Sequence, residues 1–256
     1  MWRAVAAESP RHVLVTGASR GIGAAVARVF AAAGDRVAVH YGSRRDQALA
    51  VAAALPGEGH VVLGADLADP DAVRRMVIDA AAAFDGRIDV LVNNAGVIEP
   101  HPITETSYEQ WQQAWERTLS VNLVGAANVT WCAVQHMRSG GRIVNVASRG
   151  TFRGEPAQPA YGASKAGLVA FGQSLARSLG PLGIAVTAIA PGFTETDMAT
   201  EALEGEQGRV RRAESPLGRV AAPEEVAAGV FYLASPQAEL TSGTVLDLNG
   251  ASHLRM

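Results

Sequence analysis

Tyr161 and Lys165 stand four residues apart in a stretch that reads as helix, so their side chains share one face. A free tyrosine hydroxyl titrates near about 10, too high for easy proton exchange at neutral pH. An ammonium group held beside it favours the phenolate and lowers that value. Such pairs also occur on plain helix surfaces, but composition weighs against that here. Of the 22 basic residues only Lys165 is lysine, and it follows one of only 4 tyrosines. Lysine offers a compact point charge where arginine offers a planar fork, so a site needing the former cannot take the latter. Ser148 lies upstream, just past a valine-rich run, where its hydroxyl can donate to a substrate oxygen as negative charge develops. The surrounding Val146-Ala147-Ser148-Arg149-Gly150 lacks the G-x-S-x-G elbow of a serine nucleophile.

A second chemistry sits near the N-terminus, in Thr16-Gly17-Ala18-Ser19-Arg20-Gly21-Ile22-Gly23. Gly17, Gly21 and Gly23 fall between a strand pattern and a helix pattern. There the chain must turn tightly and approach an anion such as a pyrophosphate. The first helical turn offers that anion free N–H groups and a positive dipole end. The spacing is G-x-x-x-G-x-G, not the commoner G-x-G-x-x-G, and without its strand and helix it would be a weak signal.

These residues need a frame. Short valine-rich runs at 12–16, 36–41, 60–65, 88–92, 142–147, 184–190 and 244–248 alternate with helical patterns such as 23–33, 70–84 and 223–233. Nearly continuous apolar runs are the mark of parallel strands buried on both faces. The pattern predicts an α/β fold: a single-domain, Rossmann-type, doubly wound parallel sheet of seven strands with helices on both faces. Asp69 before Pro70 reads as a helix N-cap, and Pro223 as another first helical position. In such sheets ligands bind beyond the carboxyl ends of the strands. Just past those ends stand the glycine turn, Asp66-Leu67, Asn93-Asn94-Ala95-Gly96, Ser148 and Pro191-Gly192, while the opposite ends show no comparable set.

Composition excludes several classes. A net charge of −3 advertises neither nucleic acid nor an anionic membrane surface, and one cysteine, Cys132, rules out an internal disulfide. No run is apolar and long enough to span a bilayer, and residues 1–12 lack the pattern of a signal peptide, which makes a cytoplasmic protein the expectation. The six histidines show no metal-ligand spacing with carboxylates and read as surface residues. Residues 1–256 are expected to form one domain, with 1–11 an N-terminal extension. The polar segment 194–215, carrying Glu195, Asp197, Glu201, Glu204 and Glu206, reads as a substrate lid or as a solvated excursion.

Taken together, T-G-A-S-R-G-I-G at 16–23, D-L at 66–67, N-N-A-G at 93–96, Asn122 in S-V-N-L, Ser148, Y-G-A-S-K at 161–165 and P-G-F-T-E-T at 191–196 resemble the short-chain dehydrogenases/reductases. The resemblance runs from Val13 to about Gly250 and implies NAD(P)-linked carbonyl reduction or alcohol oxidation. It implies that Tyr161 is the general acid/base and that Lys165 lowers its pKa and binds the nicotinamide ribose. Ser148 would hold the substrate oxygen, and Asn122 a proton-relaying water. Gly17, Ser19, Arg20, Gly21, Ile22, Gly23, Asp66, Leu67, Asn93, Ala95 and Gly96 would hold the adenosine half and pyrophosphate. Pro191, Gly192, Thr194 and Thr196 would hold the carboxamide.

No acid stands at the end of the second strand, where Tyr41 is followed by Ser43 and Arg44. With Arg20 these could meet a 2′-phosphate, so NADP(H) is favoured over NAD(H). An NAD-linked alcohol dehydrogenase and a silent dinucleotide-binding regulator are the alternatives. The text around P-G-F-T-E-T-D-M and the L-D-L-N-G ending is most similar to the 3-oxoacyl-[acyl-carrier-protein] reductase branch, whose implied partner is an acyl carrier protein. Arg138 and Arg142 are the basic candidates, and Leu182 stands where a second contact is expected. Arg149 and Arg153 would meet an anionic substrate or face solvent. The family also implies a homo-oligomer, dimer or tetramer. Trp111, Trp115 and Trp131, near the helix after the fourth strand, are core or interface.

Overall fold

The structure is a computed structural model describing residues 10–196, 199–200 and 203–255. Its strands are β1 (His12–Val15), β2 (Arg36–Tyr41), β3 (Val61–Gly64), β4 (Val90–Asn93), β5 (Arg142–Val146), β6 (Ala185–Pro191) and β7 (Val245–Leu248). All pair in parallel, in the order β3-β2-β1-β4-β5-β6-β7. The expected doubly wound sheet is present, its strand ends within a few residues of those read from the sequence.

Alternation along the strands divides the core. Val13 and Val15 point into one apolar layer with helices α1 (Gly21–Ala32), α2 (Arg45–Ala53) and α9 (Pro223–Leu233). Leu14 points into the other, with α3 (Pro70–Ala83), α5 (Ala126–Val134) and the end of α7 (Pro159–Leu179). The expected cap of α3 is there: Asp69 Oδ1 accepts the N–H groups of Asp71 at 2.9 Å and Ala72 at 3.1 Å. Of the expected extension 1–11, residues 1–9 lie outside the described residues. Arg11 anchors the start of β1 by pairing with Asp35 at 2.6 Å and lying over Phe30 and Phe231.

The chain runs from β1 outward to β2 and β3, then returns to place β4 on the other side of β1. That reversal opens a crevice above β1 and β4, the place where such sheets bind ligands. Two further elements frame it. Helix α4 (Tyr108–Leu119) continues into α5 through a π-helical stretch, Ser120–Gly125, which carries Asn122; such local widening is common at functional sites. The short helix α6 (Gly150–Arg153) follows β5, and α8 (Gly205–Ala213) lies within the polar segment 194–215. Of that segment, Asp197 and Glu201 lie outside the described residues.

The histidines differ from the surface reading. None of the six is exposed, and His40 and His101 are buried, because each closes backbone hydrogen bonds inside the fold. Among the described residues no helix is long and apolar enough to cross a membrane, and no cluster could hold a metal ion.

Candidate active site

The glycine turn is packed from below and open above. Gly17 and Gly21 take positive φ, 64° and 55°. A Cβ on Gly17 would come within 2.8 Å of Ala95 Cα, and one on Gly23 would overlap the Gly17 carbonyl oxygen. These two glycines therefore let the turn lie against the loop after β4. Asn94 fastens that contact, donating from Nδ2 to the carbonyls of Thr16 at 2.9 Å and Gly17 at 3.0 Å. His40 fastens it from the other side: Nδ1 accepts the Gly17 N–H at 3.0 Å, and Nε2 lies 3.1 Å from the Ala65 carbonyl. Burial pulls the pKa of His40 down to about 4, so the ring is neutral with Nε2 as its donor. No side chain caps α1 and no acid occupies its first turn, which leaves its N–H groups for an anion. The Thr196 side chain lies over Gly21, where a Cβ would meet its Cγ2 at 3.2 Å, so the loop after β6 closes on the glycine turn.

Ser148, Tyr161, Lys165 and Asn122 come together at the end of β5. Tyr161 and Lys165 stand on the first turns of α7, which Pro159 begins. Lys165 is buried, donates to the Val146 carbonyl at 2.8 Å, and holds Nζ 5.8 Å from the centroid of the Tyr161 ring. Gly96 lies against both Lys165 and Asn122: a Cβ there would stand 3.4 Å from Nζ and 3.3 Å from Asn122 Oδ1. Asn122 brackets the backbone of Val97 with two bonds, 2.8 and 3.0 Å, and donates to Ser164 Oγ, which donates to the Tyr161 carbonyl at 2.7 Å.

The acidities differ from expectation. Burial pushes the Tyr161 hydroxyl up to about 12, the hydrogen bond from Ser148 opposes this, and the charge of Glu155 adds to it. Lys165 is itself pulled down to about 8 by burial. In this arrangement its ammonium faces the Val146 carbonyl and the Tyr161 ring.

The remaining expected residues divide by what their side chains do. Ser43 and Arg44 are exposed at the end of β2, with Ser19, Arg20 and Ile22 half-buried in the glycine turn. Tyr41 lies over β3, where a Cβ on Gly64 would come within 2.7 Å of its ring. Asp66 pairs with Arg117 at 3.1 Å; the Ala68 N–H, foremost, and Arg117 hold its carboxyl below the usual range. Buried Leu67 packs in the core layer that holds Leu14. The Asn93 amide is turned into the sheet, donating to Thr130 and Asn145 at 2.9 Å each. Pro191, Gly192 and Thr194 line the loop after β6, with Thr194 Oγ1 on the Gly192 carbonyl at 3.3 Å.

The arginines fall into two groups. Both Arg149 and Arg153 close on Glu214, at 2.6 and 3.2 Å; Arg153 is exposed, as the solvent reading has it, while Arg149 is buried at the edge of a pocket it shares with Phe193 and Arg211. Arg142 is buried at the start of β5, the end remote from Ser148, and pairs with Glu239 at 3.0 Å, so it cannot greet a carrier protein at the site. Asn94, His40, Arg117 and Glu214 were not among the expected site residues. Asn94 alone had a signal, its place beside Asn93 in the turn after β4.

A family model described as enoyl-(acyl carrier protein) reductase matches residues 17–253. A short-chain type dehydrogenase/reductase of Sinorhizobium fredii is 40% identical over an alignment of 254 residues, with 94% of this chain and 43% of that protein covered. This chain thus spans less than half of that relative's length. The 3-oxoacyl-[acyl-carrier-protein] reductase FabG of Staphylococcus aureus is 35% identical over 248 residues, covering 95% of this chain and 98% of that one. Among solved structures, a short chain dehydrogenase from Burkholderia cenocepacia in complex with NADP superposes with a TM-score of 0.86 at 36% identity, over 95% of this chain and 98% of that chain.

Proposed function

The chain belongs to the short-chain dehydrogenase/reductase family of NAD(P)-linked oxidoreductases, and from that premise we propose that it is an NADPH-dependent ketoreductase with Tyr161 as proton donor. The observation that carries the reading is the convergence of Ser148, Tyr161 and Lys165 at the end of β5, with Lys165 Nζ on the Val146 carbonyl and beside the Tyr161 ring and the phenol held protonated near neutral pH. A protonated phenol suits the reductive direction, in which a carbonyl oxygen must gain a proton.

The chain's residues fit a dinucleotide. The uncapped start of α1 takes the pyrophosphate, and Arg20, Ser43 and Arg44 take a 2′-phosphate. Asp66, Leu67, Ala95, Gly96 and the backbone of Asn93 flank the adenosine half, while Pro191, Gly192, Thr194 and Thr196 hold the carboxamide. When bound, the nicotinamide supplies the hydride. Ser148 donates to the substrate oxygen as charge develops, and Tyr161 delivers its proton to that oxygen. Lys165 holds a positive charge beneath both, and Asn122 keeps α7 in register with the loop after β4. The substrate is a small carbonyl compound, with 3-oxoacyl thioesters the first class to try. Val124 and Trp131, exposed seven residues apart along the helical run from α4 to α5, support a homo-oligomer.

The deciding experiment follows loss of reduced-nicotinamide absorbance with NADPH and NADH in parallel. The panel includes ketones, acetoacetyl thioester and crotonyl thioester, with Tyr161→Phe as blank. Carbonyl reduction preferring NADPH and absent in the blank is expected. Turnover of crotonyl thioester alone would replace the ketoreductase with an enoyl reductase, and turnover surviving in the blank would remove Tyr161 from its role.

A further inference from the structure

Glu155 lies between α6 and α7, on the segment that joins Ser148 to Tyr161. Gly150 makes room for it: a Cβ there would overlap its Oε1, while the Glu155 stem lies in ordinary contact distance of Gly162. Gly150 also donates its N–H to Ser148 Oγ at 3.0 Å, so the carboxylate packs on the residue that holds Ser148, and its charge acts on the Tyr161 hydroxyl.

Among the described residues no hydrogen bond or ion pair engages that carboxylate. The surrounding cations are occupied or turned elsewhere. Arg149 and Arg153 close on Glu214, while Arg211 lies over Phe193, 4.4 Å from the ring centroid. Burial pushes the Glu155 carboxyl above its usual range, against the opposing pull of those arginines. A half-buried carboxylate without a partner is costly, and an apolar residue would serve better if nothing came to meet it.

We propose that Glu155 determines substrate specificity by accepting a hydrogen bond from a hydroxyl group that the substrate carries close to its reacting carbonyl. The inference rests on the reductase reading above and narrows its substrates to hydroxylated ketones. A hydroxyl fits better than an ammonium group, because Arg149, Arg153 and Arg211 outnumber Glu214 and would repel a cation. A plain alkyl ketone leaves the carboxylate desolvated and unpaired, and a site built to pair a hydroxyl discriminates against the analogue that lacks it.

The test uses the full chain with NADPH and three ketones of one chain length: butanone, its α-hydroxy derivative and its β-hydroxy derivative. Wild type is expected to favour one hydroxylated ketone over butanone by about 10- to 100-fold in kcat/KM. Glu155→Leu erases the preference and Glu155→Gln weakens it, while both keep butanone turnover within about twofold. Absence of any preference in wild type, or an equal loss on all three ketones in both variants, overturns the proposal. If no ketone oxidises NADPH, the reductase reading fails on its own, and Glu155 is judged by binding. Saturation-transfer NMR of butanediol against butanol on the NADP-loaded protein should favour the diol in wild type but not in Glu155→Leu. Equal binding sinks the assignment.

Discussion

Lys165 is tethered to the strand that delivers Ser148: its Nζ donates to the Val146 carbonyl at 2.8 Å and lies 5.8 Å from the centroid of the Tyr161 ring. One ammonium group thus ties the end of β5 to the face of the Tyr161 ring. Burial and the Glu155 charge raise the Tyr161 hydroxyl above its ordinary range, and Ser148 opposes them. The phenol stays loaded with its proton across the neutral range.

Tyr161→Phe removes that proton and little else. Turnover should fall by about 10²- to 10⁴-fold, the usual contribution of a positioned acid. NADPH affinity, followed by fluorescence titration, should stay within about twofold because the ring remains. A variant that still turns over at the wild-type rate would assign the proton elsewhere.

Lys165 gives a signature in stability. Its folded value is about 8 against an ordinary 10.5, so between those values the unfolded chain binds the extra proton. Stability from this group therefore rises as pH climbs through that window, and Tyr161 opposes it only above its ordinary value of 10, up to about 12. Urea melts of wild type and Lys165→Met should diverge in favour of wild type from about pH 7.5 to about 9.5. A constant difference would mean that Lys165 does not titrate there. Lys165→Arg should cost at least about tenfold in kcat, since a planar fork must enter a closed niche bounded by Gly96 and Asn122.

What could be read in advance follows from sequence distance. Val13, Leu14 and Val15 announce a strand buried on both faces, and Asp69-Pro70 announces a helix start, because each signal is local. Tyr161 and Lys165 were legible as an i,i+4 pair on one helix. Their acidities were not, since these depend on what else crowds the site: two residues four apart said nothing of burial or of the Val146 carbonyl. His40 and Gly17 meet across neighbouring strands, and Arg149 meets Glu214 across 65 residues; no periodicity encodes either contact. A lone histidine in a valine-rich strand then reads as a surface residue, although its ring is what closes the glycine turn.

Tyr41 sets up the cofactor prediction. It ends β2 with its ring over Gly64, and Ser43 and Arg44 beyond it are exposed. Tyr41→Asp places a carboxylate where a ribose 2′-hydroxyl can use it and where a 2′-phosphate is repelled. The NADPH-to-NADH ratio of kcat/KM should drop by about tenfold or more. An unchanged ratio would place the discrimination at Arg20 instead.

Glu214 joins the segment after β6 to the loop after Ser148. Its carboxylate receives Arg149 at 2.6 Å and Arg153 at 3.2 Å, and Arg149 also donates to Ser252 Oγ at 2.7 Å. Phe193 lies beneath the Arg149 and Arg211 guanidinium groups, 5.2 and 4.4 Å from their carbons, so the segment is held by charge and by a ring together. Glu214→Gln leaves a buried guanidinium without its counter-charge. Breaking a buried pair costs about 3–5 kcal/mol, and the partial exposure of Glu214 brings the expectation down to about 1–3 kcal/mol. Denaturant midpoints should fall accordingly. If this segment covers the substrate, KM should rise several-fold with kcat less affected, because Tyr161 and Ser148 keep their own contacts. A stable variant with unaltered kinetics would make Glu214 a surface pair and the 194–215 segment a bystander.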